Sequence, residues 1–250
     1  MKHASELIKN FESEQYNELL TDIYVDEHLL AYQNGRYIAA LQKFIKDFGD
    51  TEVSIFSAPG RSEVGGNHTD HQHGQVLAAS INLDAIAIVA KTSDDKIQVI
   101  SDGYDLITID ASDLSLVESE KETTTALIKG VAAGLKEHGH AVGGFKAYIT
   151  SDVLIGAGLS SSAAFETIIG TILSGLYNNG SVSAIEIAII GQYAENVYFG
   201  KPCGLMDQMA SSVGNLVHID FADPADPIVE KIDFDMAKSG YSLCITDTKG

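Results

Sequence analysis

Positive charge is scarce in this chain. Lys and Arg number 16 against 35 Asp and Glu, giving a net charge of −19. A field of that sign repels the phosphates of nucleic acid and of anionic lipid, so neither is an expected partner. A polyphosphate ligand would need a local site and a divalent cation. There are two cysteines, Cys203 and Cys244, and no CxxC pair. That excludes a disulfide framework and a thiolate metal site and agrees with a reducing, cytoplasmic setting. The N-terminal Met1–Leu7 lacks the apolar run of a secretory signal. Long uninterrupted apolar runs are missing too: Val76–Ala90 carries Ser80, Asn82 and Asp84, which makes a membrane span unexpected. Neither an internal repeat nor a low-complexity tract occurs. What remains is globular, with 250 residues, 45% hydrophobic and 20% charged. That is enough for one large domain or two small ones.

Hydrophobic periodicity gives the outline. Residues 4–50 read as helical, with Leu29, Tyr32, Tyr37, Ala40, Leu41, Phe44, Ile45 and Phe48 near helical spacing and Gly49 as a stop. Val53–Ser57 reads as a strand, and Gln75–Lys91 as a long apolar strand or strand pair. Lys96–Ser101 and Tyr104–Asp110 read as a hairpin around Asp102-Gly103. Helices are expected over Thr123–Glu137, Ser160–Tyr177 and Ser183–Phe199. Further strands are expected over 144–152, 215–220, 228–232 and 241–246. Pro224 and Pro227, set among aspartates, read as a linker. Strands, local hairpins and helices in this order predict an α+β fold.

Three segments carry chemistry. In the first, Ala58-Pro59-Gly60-Arg61 is followed by Gly65-Gly66-Asn67-His68-Thr69-Asp70-His71. Its density of hydrogen-bonding groups suits a polyhydroxyl ligand, a metal bound by His68, Asp70, His71 and His73, or an ordinary polar loop. The second, Gly156-Ala157-Gly158-Leu159-Ser160-Ser161-Ser162-Ala163-Ala164, ends an apolar run and opens a helix. Free N–H groups at such a helix start form an anion site, and the serines add capping hydroxyls. No Gly-Lys-Ser/Thr follows, so it is not a Walker loop, and the closing glycine of a nucleophile elbow is missing. The third, Cys203-Gly204-Leu205-Met206-Asp207-Gln208, places an aspartate among apolar neighbours, where a carboxylate needs a partner. Arg61, one of very few arginines, stands out as that partner. Glu195 on the preceding helix is a solvated residue or a metal-side carboxylate.

In their order and spacing these segments resemble those of the GHMP small-molecule kinases, most closely the galactokinases, from about Ser54 to the chain end. The resemblance implies an N-terminal domain of the ribosomal protein S5 domain 2-like fold over 1–222. Residues 223–250 would be a linker and the first strand of a second, ferredoxin-like domain, mostly missing. It also implies phosphoryl transfer from ATP to the anomeric hydroxyl of galactose or a related sugar, with Mg²⁺. Asp207 would accept or orient the hydroxyl proton. Arg61 would pair with it and stabilise the transferring phosphoryl group. Asn67, His68, Asp70 and Gly204 would line the sugar site. Gly156, Ala157, Gly158, Leu159, Ser160, Ser161 and Ser162 would cradle the phosphates, and Ser162 and Glu195 would hold the metal. Alternatives are a non-catalytic sugar or nucleotide sensor, an inactive fragment, and a metal-dependent hydrolase built on the histidines.

The sequence departs from that pattern twice. Where galactokinases carry a glutamate before His-Thr-Asp, this chain has Asn67. Loss of that charge predicts tolerance of galacturonate, and N-acetylgalactosamine is a further alternative. The second domain's glycine-rich motif is also absent, which predicts a truncated piece that self-associates through an uncovered face.

Overall fold

The computed structural model describes residues 2–154, 156–223, 226–234, 236 and 238–246. One eight-stranded sheet organises it, with strands β1 (Lys2–His3), β2 (Glu52–Gly65), β3 (Gln75–Lys91), β4 (Lys96–Ser101), β5 (Ile107–Asp110), β6 (Phe145–Ser151), β7 (Leu216–Asp220) and β8 (Ile228–Ile232). The strand order is β1-β2-β3-β6-β4-β5. β7 pairs with the first part of β3 and carries β8 on its other side. The β4–β6 pair is parallel and the others are antiparallel, so the α+β expectation holds.

Helices cover both faces. On one side lie α1 (Ala4–Glu12), α2 (Asn17–Tyr24) and α3 (Leu30–Phe48). On the other lie α4 (Thr124–Glu137), α5 (Ser161–Tyr177), α6 (Ala184–Tyr193) and α7 (Met206–Val213). Strand β3 shows why both layers are required. Ala85, Ala87 and Val89 pack into the core shared with α4, α5 and α6, while Ile86, Ile88 and Ala90 pack against α1–α3. A strand buried on both faces reads as a continuous apolar run, and Gln75–Lys91 is a single strand of that kind.

Several boundaries differ from the sequence expectation. Residues 4–50 form three helices because the chain turns at Glu14 and Val25, both at positive φ without a glycine to announce it. Strand β2 continues through the first motif, so Arg61 sits on a strand with a register shift just before it. The hairpin's second strand starts at Ile107, not Tyr104. Helix α6 passes into a π-helical turn over Ala194–Phe199. The strand expected over 241–246 is not formed: Tyr241, Leu243 and Ile245 are exposed and pair with no strand among the described residues. An apolar alternating pattern needs a neighbouring strand, and none lies beside it among the described residues. Pro224 lies outside the described residues.

Candidate active site

Arg61 and Asp207 meet from opposite ends of the sequence. Arg61 leaves strand β2, and Asp207 stands in the first turn of α7, where the helix dipole favours a negative side chain. The guanidinium donates from Nε to Asp207 Oδ1 and from Nη2 to Oδ2, both at 2.7 Å, in a bidentate fork. Its Nη1 donates to the Gly158 carbonyl at 2.5 Å. The Ser160 hydroxyl also donates to Asp207 Oδ2. The Arg61 side chain is 7% exposed and that of Asp207 is 29% exposed. The pair is therefore sealed behind the arginine and open on the carboxylate side, where a ligand hydroxyl could reach it.

The second motif wraps the same centre. Leu159 is buried, and its carbonyl accepts from the Arg61 backbone N–H at 3.1 Å. A Cβ on Gly60 would sit 2.9 Å from that carbonyl, so only glycine lets β2 approach the loop so closely. Gly156, Ala157 and Gly158 are exposed, and both glycines have φ above +70° with nothing packed against them. Ser160 takes the N-cap position of α5 at φ 57° but makes no side-chain cap, because its hydroxyl is turned to Asp207. Strain of this kind in a non-glycine residue collects at functional sites. The first-turn N–H groups of α5, from Ser161 and Ser162 onward, lack intrahelical partners by helix geometry, and an open loop precedes them. The residues present thus fit a polyphosphate, and the half-buried Ser162 adds a hydroxyl at the same helix start.

Glu195 lies on the π-helical turn, buried, with Oε1 3.7 Å from Lys201 Nζ. Its Oε2 accepts from Gln208 Nε2 at 3.0 Å, and the same amide donates to Glu166 Oε2 at 3.0 Å. The second Glu166 oxygen and Gln208 Oε1 have no partner. Burial, and secondarily the neighbouring Glu195, push the Glu166 carboxyl well above the ordinary carboxylate range. Burial, and then Glu195, also raise the Cys203 thiol, which disfavours the thiolate there. The oxygen-rich set around Glu195 fits a hard divalent cation.

The third wall is the loop of the first motif. Asn67 and His68 are exposed, with φ of 56° and 51°. The His68 N–H donates to Glu63 Oε1 at 2.9 Å. Asp70 is 6% exposed and accepts from the Met206 N–H at 3.2 Å. Gly204 makes that contact possible, because a Cβ there would fall 1.7 Å from Asp70 Oδ2. The histidines do not converge. His71 is exposed beside Asp70, and His73 Nδ1 lies 3.2 Å from the Ala222 carbonyl. Among the described residues no group of three or more His, Cys, Asp or Glu is placed to hold a metal. The metal site weighed for His68, Asp70, His71 and His73 is thus not formed, because their side chains diverge. A cavity of about 580 Å³ between α1, α2 and α3, lined by Phe11, Leu30 and Ile38 among others, shares no residue with this site.

The structure therefore brings Arg61, Asp207, Gly158 and Ser160 into direct contact, joins Asp70 to Gly204 and Met206, and links Glu195 to Asp207's neighbour Gln208. Sequence reasoning missed Glu63, Glu166 and the contact of Ser160 with Asp207. Glu63 had a signal, since it lies two residues from Arg61, but that spacing has meaning only once β2 is known to run that far.

Two family models match the chain: the galactokinase galactose-binding signature over residues 42–91 and the GHMP kinases N-terminal domain over residues 126–215. A galactokinase of Streptomyces coelicolor is 34% identical over 208 residues, 83% of this chain and 54% of that protein. A galactokinase of Lactococcus lactis is 34% identical over 191 residues, 75% of this chain and 48% of that protein. The crystal structure of Lactococcus lactis galactokinase complexed with galactose superposes with a TM-score of 0.69 at 29% identity, covering 78% of this chain and 51% of that one. The chain spans about half the length of the curated relatives it matches. With this fold and these two matched segments, the chain belongs to the GHMP kinase family, galactokinase-like, and corresponds to the N-terminal portion of its longer members.

Proposed function

We propose that this chain forms the ATP- and sugar-binding part of a sugar-1-kinase, which moves the γ-phosphoryl group of ATP to the anomeric hydroxyl of galactose or a related hexose. The observation that carries the reading is the convergence of Arg61, Asp207 and Ser160, with the glycine loop attached through Gly158. The open edge of Asp207 orients the acceptor hydroxyl and takes its proton as the oxygen–phosphorus bond forms. Arg61 holds that carboxylate in place and lies beside the path of the transferring group. Positioning and charge stabilisation of this kind are most of what phosphoryl transfer requires. The 156–162 loop and the start of α5 bind the phosphates, and Ser162 with Glu195 would hold Mg²⁺. That ion supplies neutralisation of the phosphate charge when bound. Asn67, His68, Asp70 and Gly204 form the acceptor side. Both cysteines are free, which suits a reducing cytoplasm. Ile228, Phe234, Tyr241, Leu243 and Ile245 are exposed apolar side chains through which self-association would occur.

The test is product formation. The chain is incubated with Mg-ATP and a panel of galactose, galacturonate, N-acetylgalactosamine and arabinose, and products are read by phosphorus NMR. A sugar 1-phosphate, formed only when the sugar is present, supports the reading. Release of ADP at one rate with or without sugar would contradict it.

A further inference from the structure

Glu63 lies two residues beyond Arg61 on β2, and the register between them is unbroken, with Arg61 opposite Ser80, Ser62 opposite Ala79 and Glu63 opposite Ala78. Residues two apart on a strand share a face. Arg61 marks that face as the one carrying Asp207. On the far side, Glu63 Oε1 accepts the His68 N–H at 2.9 Å. It thereby holds Asn67 and His68, two consecutive non-glycine residues, at left-handed φ. Glu63 thus links the strand that carries Arg61 to the loop that carries His68 and Asp70.

Its charge is not neutralised. Glu63 makes no ion pair among the described residues, and the one arginine on its strand is already committed to Asp207. A carboxylate can accept about four hydrogen bonds, and among the described residues only the His68 N–H donates to that of Glu63. The second oxygen has no protein partner among the described residues, and the side chain is half-buried.

We propose that Glu63 is a specificity-determining residue that accepts a hydroxyl of a neutral sugar and rejects acceptors bearing a carboxylate. This rests on the sugar-kinase reading of the site. It also reverses the expectation drawn from Asn67 alone. The amide at 67 removes one charge from the loop, but Glu63 returns a charge to the same loop from the neighbouring strand.

The experiment is calorimetric titration of the 250-residue chain with galactose and with galacturonate, for the natural chain, Glu63→Gln and Asn67→Glu. The natural chain is expected to bind galactose at least about tenfold more tightly than galacturonate, from like-charge repulsion at short range. Glu63→Gln keeps an oxygen for the His68 N–H and removes the charge. It is expected to weaken galactose binding by about threefold and to bring the two sugars within about threefold of each other. Asn67→Glu, which leaves Glu63 in place, is expected to widen the preference. If galactose binds and its preference over galacturonate survives in Glu63→Gln, the charge assignment is overturned while the sugar-kinase reading stands. Failure of either sugar to bind any of the three chains would overturn both together.

Discussion

The chain has two arginines, Arg36 and Arg61, and each is buried against an aspartate. Arg36 on α3 donates from Nη1 to Asp84 Oδ1 at 2.6 Å and from Nη2 to the Asp84 carbonyl at 2.7 Å. Asp84 also accepts from Tyr24 at 2.9 Å and from Ser57 at 2.5 Å. Its side chain is 4% exposed, against 29% for Asp207. Burial opposes the Arg36 charge, but Asp84 outweighs it and raises the arginine's pKa. Burial, then Asp84, lift Tyr37 to about 12, so the tyrosines beside the pair stay neutral donors. The same two functional groups therefore serve two ends. Protein donors fill both oxygens of the Asp84 carboxylate, and the pair ties α2 and α3 to β3 opposite Pro59, where β2 shifts register before Arg61. The Arg61–Asp207 pair leaves one side of its carboxylate unfilled. Accessibility at the carboxylate, not the presence of an ion pair, separates the pair we propose to be functional from the structural one.

Substitutions should split the two pairs. Arg61→Met should lower sugar-dependent turnover by about 10³–10⁵, the range of a positioned arginine in phosphoryl transfer, as read by coupled ADP release. A loss below about tenfold would merge the two pairs into one structural class. Asp84→Ala leaves the buried Arg36 guanidinium with Asp152, 3.3 Å away, as its remaining carboxylate and should reduce unfolding free energy by about 3 kcal/mol in urea titrations. An unchanged midpoint would mean the network is dispensable.

Smaller effects sharpen the contrast. Gly204→Ala forces Asp70 away from Met206 and should reduce kcat/KM by roughly 10- to 100-fold with little change in melting temperature. A partly exposed surface cluster, Glu186 with His138 and His140, gives the weakest signal. Burial opposes the Glu186 charge, yet hydrogen bonds from His140 and His138 win and hold its pKa below the ordinary carboxylate value. The unfolded chain then binds more protons than the folded one as pH falls. The contribution is present above the usual carboxylate range and is lost as pH drops through the lowered pKa. Replacing both histidines by glutamine should flatten that acid limb slightly, by well under about 1 kcal/mol for so exposed a group.

The three motifs, the α+β class and the long apolar β3 were legible in the sequence because each depends on local chemistry or simple periodicity. Arg61 could be paired with Asp207 by elimination, since a partly buried carboxylate needs a cation and few were available. Other features depend on tertiary placement. The positive-φ turns at Glu14 and Val25 contain no glycine, so the three N-terminal helices read as one region. Ser160 reads as a helix cap, but Asp207 competes for its hydroxyl and wins. Glu63 acquires a role only when β2 extends past Arg61 and the 66–68 loop folds back onto it. The alternation over 241–246 shows the converse, a strand-like pattern with no neighbouring strand among the described residues.

The most direct test compares Asp207→Asn with Asp84→Asn for both melting temperature and galactose-dependent ADP release. The account predicts a crossing. Asp207→Asn keeps the melting temperature within a few degrees and loses turnover by at least about 10², whereas Asp84→Asn lowers the melting temperature and, where folded, retains most of its turnover. Equal turnover in the Asp207→Asn and unaltered chains would contradict the assignment of this site.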